Sequence, residues 1–476
     1  MLFNSLSFAI FLPVVFTLYW FVFQRNLKVQ NFLIVVASYF FYGWWDWRFL
    51  SLIFISTFED YFVALQIKNT VDERKRKMWL LVSILVNIGF LGFFKYYNFF
   101  IDNFVNSFAL LGFKPNVTSL KIILPVGISF YTFQTLSYTI DVYRRKLEPT
   151  KDFIAFTAFV SFFPLLVAGP IERANNLLPQ FFVKRSFDYK KAVDGMRQIL
   201  WGLFKKIVIA DNCATYVNMV FDHPIDHTGS TLLLGAIFFA FQIYGDFSGY
   251  SDIAIGTARL FGINAMRNFN FPYFSRDIAE FWRRWHISLT TWFRDYVYIP
   301  LGGSRVSKAK VVRNTFIIFL VSGFWHGANW TFIVWGAFHA MLFLPLILLK
   351  KNRKNTDTVA EGKLLPNAKE IFQIVSTFLL VTIGWVFFRA NNIAQAFEYL
   401  GGIFSTNIFP LNIEFIKRIG FFVIIMIFVE WLQRKKQHGL EIASMNEWLR
   451  RMIYILIIFS IIFFSGRNEQ FIYFQF

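Results

Sequence analysis

The chain has 476 residues, of which 56% are hydrophobic, 21% aromatic and only 16% charged, with a mean hydropathy of +0.48. Soluble domains carry about a quarter charged residues, so a soluble multidomain enzyme is excluded. The net charge of +19 comes from 48 Lys and Arg against 29 Asp and Glu; its clusters, such as Lys68 to Lys77, Lys350 to Lys354 and Arg434 to Lys436, fall between apolar runs, as in cytoplasmic loops, and argue against a nucleic-acid partner.

A helix needs about 20 mostly apolar residues to cross a hydrocarbon layer of roughly 30 Å. Roughly ten to twelve segments qualify, at 7 to 23, 29 to 45, 49 to 67, 78 to 94, 120 to 140, 153 to 169, 231 to 248, 314 to 330, 332 to 349, 371 to 388, 418 to 432 and 452 to 465. This predicts an all-α polytopic membrane protein, a single membrane domain over 1–476. No basic residue precedes the first segment whereas Arg25 and Lys28 follow it, which predicts a retained first helix with its N-terminus outside. Counting back from the basic 434–451 loop sends the last helix outward and predicts an external tail over 467–476. The count is ambiguous between residues 170 and 313, where Trp201 to Val208 mixes Lys205 and Lys206 with apolar residues, the pattern of an interfacial helix.

Residues 264–313 set nine Lys or Arg and Asp277, Glu280 and Asp295 among Trp282, Trp285, Trp292, Tyr296 and Tyr298. Re-entrant helices packed inside protein fit such a stretch, because irregular backbone survives at membrane depth only when buried or lining a wet cavity. The 350–370 segment reads as a solvated connector.

Ionisable groups inside spans are costly and usually functional. His326 lies in the span 314–330 with Gly323 and Gly327 on adjacent turns, where small residues permit close approach. A buried imidazole stays neutral and offers its lone pair as a general base, so His326 is the first candidate. His286 lies in FWRRWHISLTTWF, where continuous helical spacing stacks Trp282, His286, Leu289 and Phe293 on one side. His339 reads as structural. Asp222, His223, Asp226 and His227 have metal-like spacing, but Pro224 breaks the helix they need, so no metal site is expected. The Gly- and Ser-rich DFSGYSDIAIG at 246–256 suggests a broken helix around a cavity, and Glu59 and Asp60 read as buried partners of Arg residues. A lone cysteine, Cys213, excludes an internal disulfide and a CxxC site.

LPVGISFYTFQTLSYTIDVYR at 124–144, GPIER at 169–173, YGDFSGYSDIAIG at 244–256, the run from Asn270 to Gly303 and GFWHGANW at 323–330 together resemble the membrane-bound O-acyltransferases, in particular the bacterial branch acting in alginate O-acetylation and D-alanyl transfer to teichoic acid. The resemblance covers most of the chain. It implies a cage of transmembrane and re-entrant helices around a tunnel, a catalytic core within 264–330, the catalytic histidine at His326 and a second signature histidine at His286. It implies an acyl thioester donor such as acetyl-CoA, no permanently held cofactor, and a donor mouth where the basic Arg283, Arg284, Arg305 and Lys308 complement phosphates. The last six residues, FIYFQF, resemble a C-terminal motif of this system whose tyrosine, here Tyr473, accepts the acyl group. A phenol with a pKa of about 10 needs a base to attack, a reason to bring His326 and Tyr473 together. The 476 residues contain nothing like a soluble hydrolase domain, so the resemblance implies a separate extracytoplasmic acyltransferase partner of the SGNH-hydrolase kind, a polysaccharide acceptor and a place in the inner membrane. A transporter with proton-relay histidines, or a scaffolding subunit, are the alternatives the residues leave open.

Overall fold

The computed structural model describes residues 1–113, 115, 117, 120–167, 169–404, 413–467 and 469–474. The described residues form helices, turns and loops with no strand among them, as expected where backbone groups must be satisfied without water. Among the described residues five helices are long and apolar enough to cross a membrane: Trp47–Asn69, Glu73–Leu110, Gly229–Leu260, Trp330–Leu348 and Ala368–Arg389. Shorter apolar helices cover Leu6–Val22 and Ile419–Leu432. The chain packs as two compact units, Met1–Ala192 with Ala258–Ala265, and Val193–Thr257 with Met266–Phe476.

In the first unit the helices Leu6–Thr17, Leu27–Gly43 and Glu73–Leu91 begin at Ser5, Asn26 and Asp72, whose side chains accept first-turn N–H groups. The segment expected at 153 to 169 is not one span. Its helix Phe153–Ser161 ends where Phe162 turns the chain ahead of Pro164, and a second short helix, Phe163–Leu166, follows; residue 168 lies outside the described residues. Asp60 is not an arginine partner either: its carboxylate accepts from the Ser83 hydroxyl and the Asn87 amide, polar groups that satisfy it without a second buried charge.

The second unit is arranged around the helix Gly229–Leu260, the most buried of the five long helices. The DFSGYSDIAIG string does not break it. Its glycines serve helix packing instead, because a Cβ at Gly249 would meet the Gly202 carbonyl oxygen at 2.8 Å and one at Gly256 the Gly195 carbonyl oxygen at 2.5 Å. The neighbouring helix Tyr189–Leu203 then widens into π turns over Phe204–Ala210. Consecutive Lys205 and Lys206 are both buried there and reach the same long helix, so this stretch is not interfacial. Lys205 pairs with Asp252 at 2.6 Å, and Lys206 with Asp211 at 2.7 Å and Asp246 at 2.9 Å.

Within 264–313 the string FWRRWHISLTTWF, read as helical throughout, is divided between two short helices, Ile278–Arg284 and Ile287–Phe293. His286 breaks the continuous spacing by adopting φ +42 between them. The loop after Trp330–Leu348 is docked rather than solvated. Val359 and Ala360 are buried, Arg276 binds Asp357, and Arg434 donates to the carbonyls of Val359 and Ala360.

Candidate active site

Three sequence candidates converge in the second unit. His326 ends the helix Lys308–His326, which packs closely on Trp330–Leu348: a Cβ at Gly323 would lie 2.2 Å from the Phe332 carbonyl oxygen, and one at Gly336 2.3 Å from that of Phe319. These two glycines, one on each helix, thus let the helices approach closely. The imidazole of His326 is buried against Trp325, Trp335 and Phe388, with ring centroids 5.0, 5.1 and 5.3 Å away.

His286 is held in one tautomer. The Asn268 amide donates to Ser251 Oγ at 3.1 Å, which makes its Oδ1 the acceptor for His286 Nδ1 at 3.1 Å and Ser288 Oγ at 2.9 Å. Backbone pairing of Ile287 N with the Asn268 carbonyl at 2.9 Å secures the left-handed turn. With Nδ1 carrying the proton, Nε2 carries the lone pair; that atom is buried and has no hydrogen-bond partner among the described residues. Asn268 gave no signal in the sequence, since its value lies in a contact across 18 residues.

The described part of the tail, residues 469–474, is folded into this unit. Phe471 and Ile472 are buried, and Tyr473 lies between the two histidines, its ring 5.6 Å from His326 and 6.4 Å from His286. Phe247 closes the other side at 4.4 Å from Tyr473 and 4.6 Å from His286. Burial, reinforced by the Asp246 carboxylate, holds the Tyr473 phenol well above its ordinary range, so it needs a base to react. Among the described residues its hydroxyl has no hydrogen-bond partner. Gln475 and Phe476 of the FIYFQF motif lie outside the described residues.

A buried charge cluster anchors this tail. Asp246 Oδ2 accepts the Ile472 backbone N–H at 2.6 Å, while Lys206 Nζ donates to the Glu469 carbonyl at 3.0 Å. Asn212 donates to the Phe464 carbonyl at 2.8 Å. Beyond it, Tyr244 donates to Glu430 at 2.8 Å. The signal for the cluster was present in the sequence: lysines and carboxylates inside apolar segments must find one another.

Of the four expected donor-mouth cations, two are engaged within the protein. Arg284 pairs with Glu280 at 2.8 Å, and Arg283 donates at 2.6 Å to each of the carbonyls of Asn352 and Asn355. Arg305 and Lys308 are exposed. His339 packs between Trp282 and Trp335, each 5.0 Å away. The helix Asp211–Asp222 ends before Pro224, which starts a separate turn, so His223 and His227 share no helix; among the described residues no group of His, Cys, Asp and Glu is placed to hold a metal.

Helices without strands among the described residues, several of them long and apolar enough to cross a membrane, define the class of all-α polytopic membrane proteins. The model of the membrane-bound O-acyltransferase family matches residues 144–385. The chain is 42% identical to the probable alginate O-acetylase AlgI of Pseudomonas aeruginosa, over 87% of this chain and 76% of that protein. It is 34% identical to the peptidoglycan O-acetyltransferase of Helicobacter pylori, over 100% and 98%, and 28% identical to the teichoic acid D-alanyltransferase of Bacillus subtilis, over 58% and 72%. The chain belongs to the membrane-bound O-acyltransferase family. It is therefore an O-acyltransferase, and the transporter and scaffold alternatives fall away.

Proposed function

We propose that this protein O-acetylates a cell-envelope or secreted polysaccharide from the inner membrane, relaying the acetyl group through Tyr473. The observation that carries the reading is the position of Tyr473 between His326 and His286 on a tail tied down by Asp246 and Lys206. An acetyl thioester, of which acetyl-CoA is the simplest, approaches from the cytoplasmic side, where the exposed Arg305 and Lys308 supply positive charge for its phosphates. His326 takes the phenol proton as Tyr473 Oη attacks the thioester carbonyl. The C–S bond breaks, the thiol leaves with a proton, and the acetyl group is held as a phenyl ester. His286, through its Nε2 lone pair, orients the phenol or shares its proton. A phenyl ester remains activated, because a phenolate leaves more readily than a sugar alkoxide, and an extracytoplasmic partner of the SGNH-hydrolase kind passes the group to a polymer hydroxyl.

Acetyl transfer and a polysaccharide acceptor are supported by the names of the alginate and peptidoglycan relatives. The test is peptide mass spectrometry after incubation with labelled acetyl-CoA. Label on the peptide containing Tyr473 in wild type, and none in His326→Ala or Tyr473→Phe, supports the relay. Label elsewhere, or unchanged in Tyr473→Phe, removes Tyr473 from it.

A further inference from the structure

The first unit contains a cavity of about 370 Å³ that the acyl-transfer reading does not use, lined among others by Trp20, Lys184, Arg185, Phe187, Lys191 and Arg259. Four cations face it against one acid. That acid, Asp188, is engaged at the start of the helix Tyr189–Leu203, where its side chain accepts the Lys191 backbone N–H at 3.1 Å.

Arg185 distinguishes this cavity from an ordinary basic surface. It is only 6% exposed, yet among the described residues no carboxylate comes within salt-bridge distance of it. Its guanidinium donates to Asn31 Oδ1 at 2.6 Å and lies 5.4 Å from the Tyr19 ring and 5.6 Å from that of Phe181. Among the described residues its Nε has no hydrogen-bond partner. Asn31 in turn donates to the Phe181 carbonyl at 2.8 Å, so the guanidinium sits in a fixed seat. Burying a cation without a counter-charge is costly, and a planar guanidinium backed by two lysines and a second arginine is the arrangement that recognises phosphate. Exposed Val183 and Phe187 sit among the cations, giving the rim an apolar side.

We infer that this cavity is a binding site for a phosphate ester with an apolar or aromatic body, seated on Arg185 and flanked by Lys184, Lys191 and Arg259. An anionic phospholipid headgroup and a soluble phosphate ester such as coenzyme A share this chemistry. The inference does not depend on the acyl relay, because binding is read without turnover.

The experiment uses the full chain and compares wild type, Lys184→Gln/Lys191→Gln, and a charge-matched control, Lys350→Gln/Lys351→Gln. Phosphatidylglycerol retention is measured by native mass spectrometry and coenzyme A binding by equilibrium dialysis. Both altered lysines are exposed, so folding is spared; Arg185→Gln is a second variant, with thermal unfolding measured alongside. The expected result is binding of at least one probe that weakens about 10- to 30-fold in Lys184→Gln/Lys191→Gln and is unchanged in the control. Loss confined to phosphatidylglycerol identifies a lipid headgroup, and loss confined to coenzyme A a soluble ester. Equal weakening in both double variants, no change in either, or no binding of either probe to wild type overturns the proposal.

Discussion

The ring of Tyr473 lies 5.6 Å from the imidazole of His326, centroid to centroid, with 52° between their planes. The two residues are 147 positions apart, and it is the folded tail that joins them. If His326 is the base for this phenol, His326→Ala lowers acetyl transfer by about 10²-fold or more, while Tyr473→Phe abolishes the tail ester. Tyr473→Phe keeps wild-type thermal unfolding, because it removes only a hydroxyl, whereas His326→Ala opens a cavity beside Trp335 and Phe388 and melts somewhat lower. Label transfer and a melting curve on the same sample check this.

The tail anchor is the next test. Lys206 is paired with both Asp211 and Asp246, and removing one member of a buried ion pair costs about 3–5 kcal/mol. Lys206→Met should therefore destabilise strongly. Asp246→Asn keeps a group able to accept from the Ile472 N–H, so it should lose less stability but loosen the tail. Accelerated proteolysis C-terminal to Phe464 in Asp246→Asn, with transfer reduced, is the expected outcome. A tail as protected as in wild type refutes the anchoring role.

Asn268 holds His286 Nδ1 as a donor, and losing a group that fixes an imidazole tautomer typically costs about 10- to 100-fold in function. Asn268→Ala should show a loss of that order in acetyl transfer, and His286→Ala should add little on the Asn268→Ala background. Additive losses in this double-mutant cycle argue that Asn268 acts on something other than His286.

What could be read from the residues and what could not divide along physical lines. The helical segments are marked by long apolar runs, because lipid demands internally bonded backbone. His326, His286 and Tyr473 stand out as reactive groups in apolar or motif-like settings. The break at His286 was invisible, since FWRRWHISLTTWF has helical spacing throughout and only the long-range contact with Asn268 overrides it. The continuity of Gly229–Leu260 was hidden for the opposite reason: Gly245, Gly249 and Gly256 look like breakers until the backbone of a second helix is found against them. Arg283 and Arg284 looked like free cations, because their partners lie in a loop about 70 residues on and in Glu280, one helical turn back on the opposite sign.

The glycine contacts yield a direct prediction. A Cβ at Gly256 would sit 2.5 Å from the Gly195 carbonyl oxygen and 2.8 Å from Ile199 Cγ1, and the first of these is backbone that cannot rotate away. Gly256→Ala therefore forces the two helices apart, at a cost of about 1–3 kcal/mol. Gly401→Ala, where nothing lies within 4 Å, serves as the tolerated comparison. Equal melting temperatures for the two variants refute the close-approach role.

The docked loop supplies the last test. Arg276 holds the Asp357 carboxyl below its ordinary range, chiefly through their side-chain hydrogen bonds. A carboxylate lowered on folding adds stability that is complete above its unfolded pKa of about 4 and disappears as pH falls through the lower folded value. The loop should thus stay docked at neutral pH and be released only in acid. Asp357→Asn should release it at neutral pH, because the amide cannot carry the charge that Arg276 binds. Cleavage by trypsin at Lys354 should then quicken at neutral pH in the variant relative to wild type. Arg276 also keeps Glu280 as a partner at 3.0 Å, so Asp357→Asn should expose the loop without lowering the melting temperature as far as Arg276→Met does. Identical digestion of wild type and Asp357→Asn shows that Val359 and Ala360, held through Arg434, suffice to keep the loop in place.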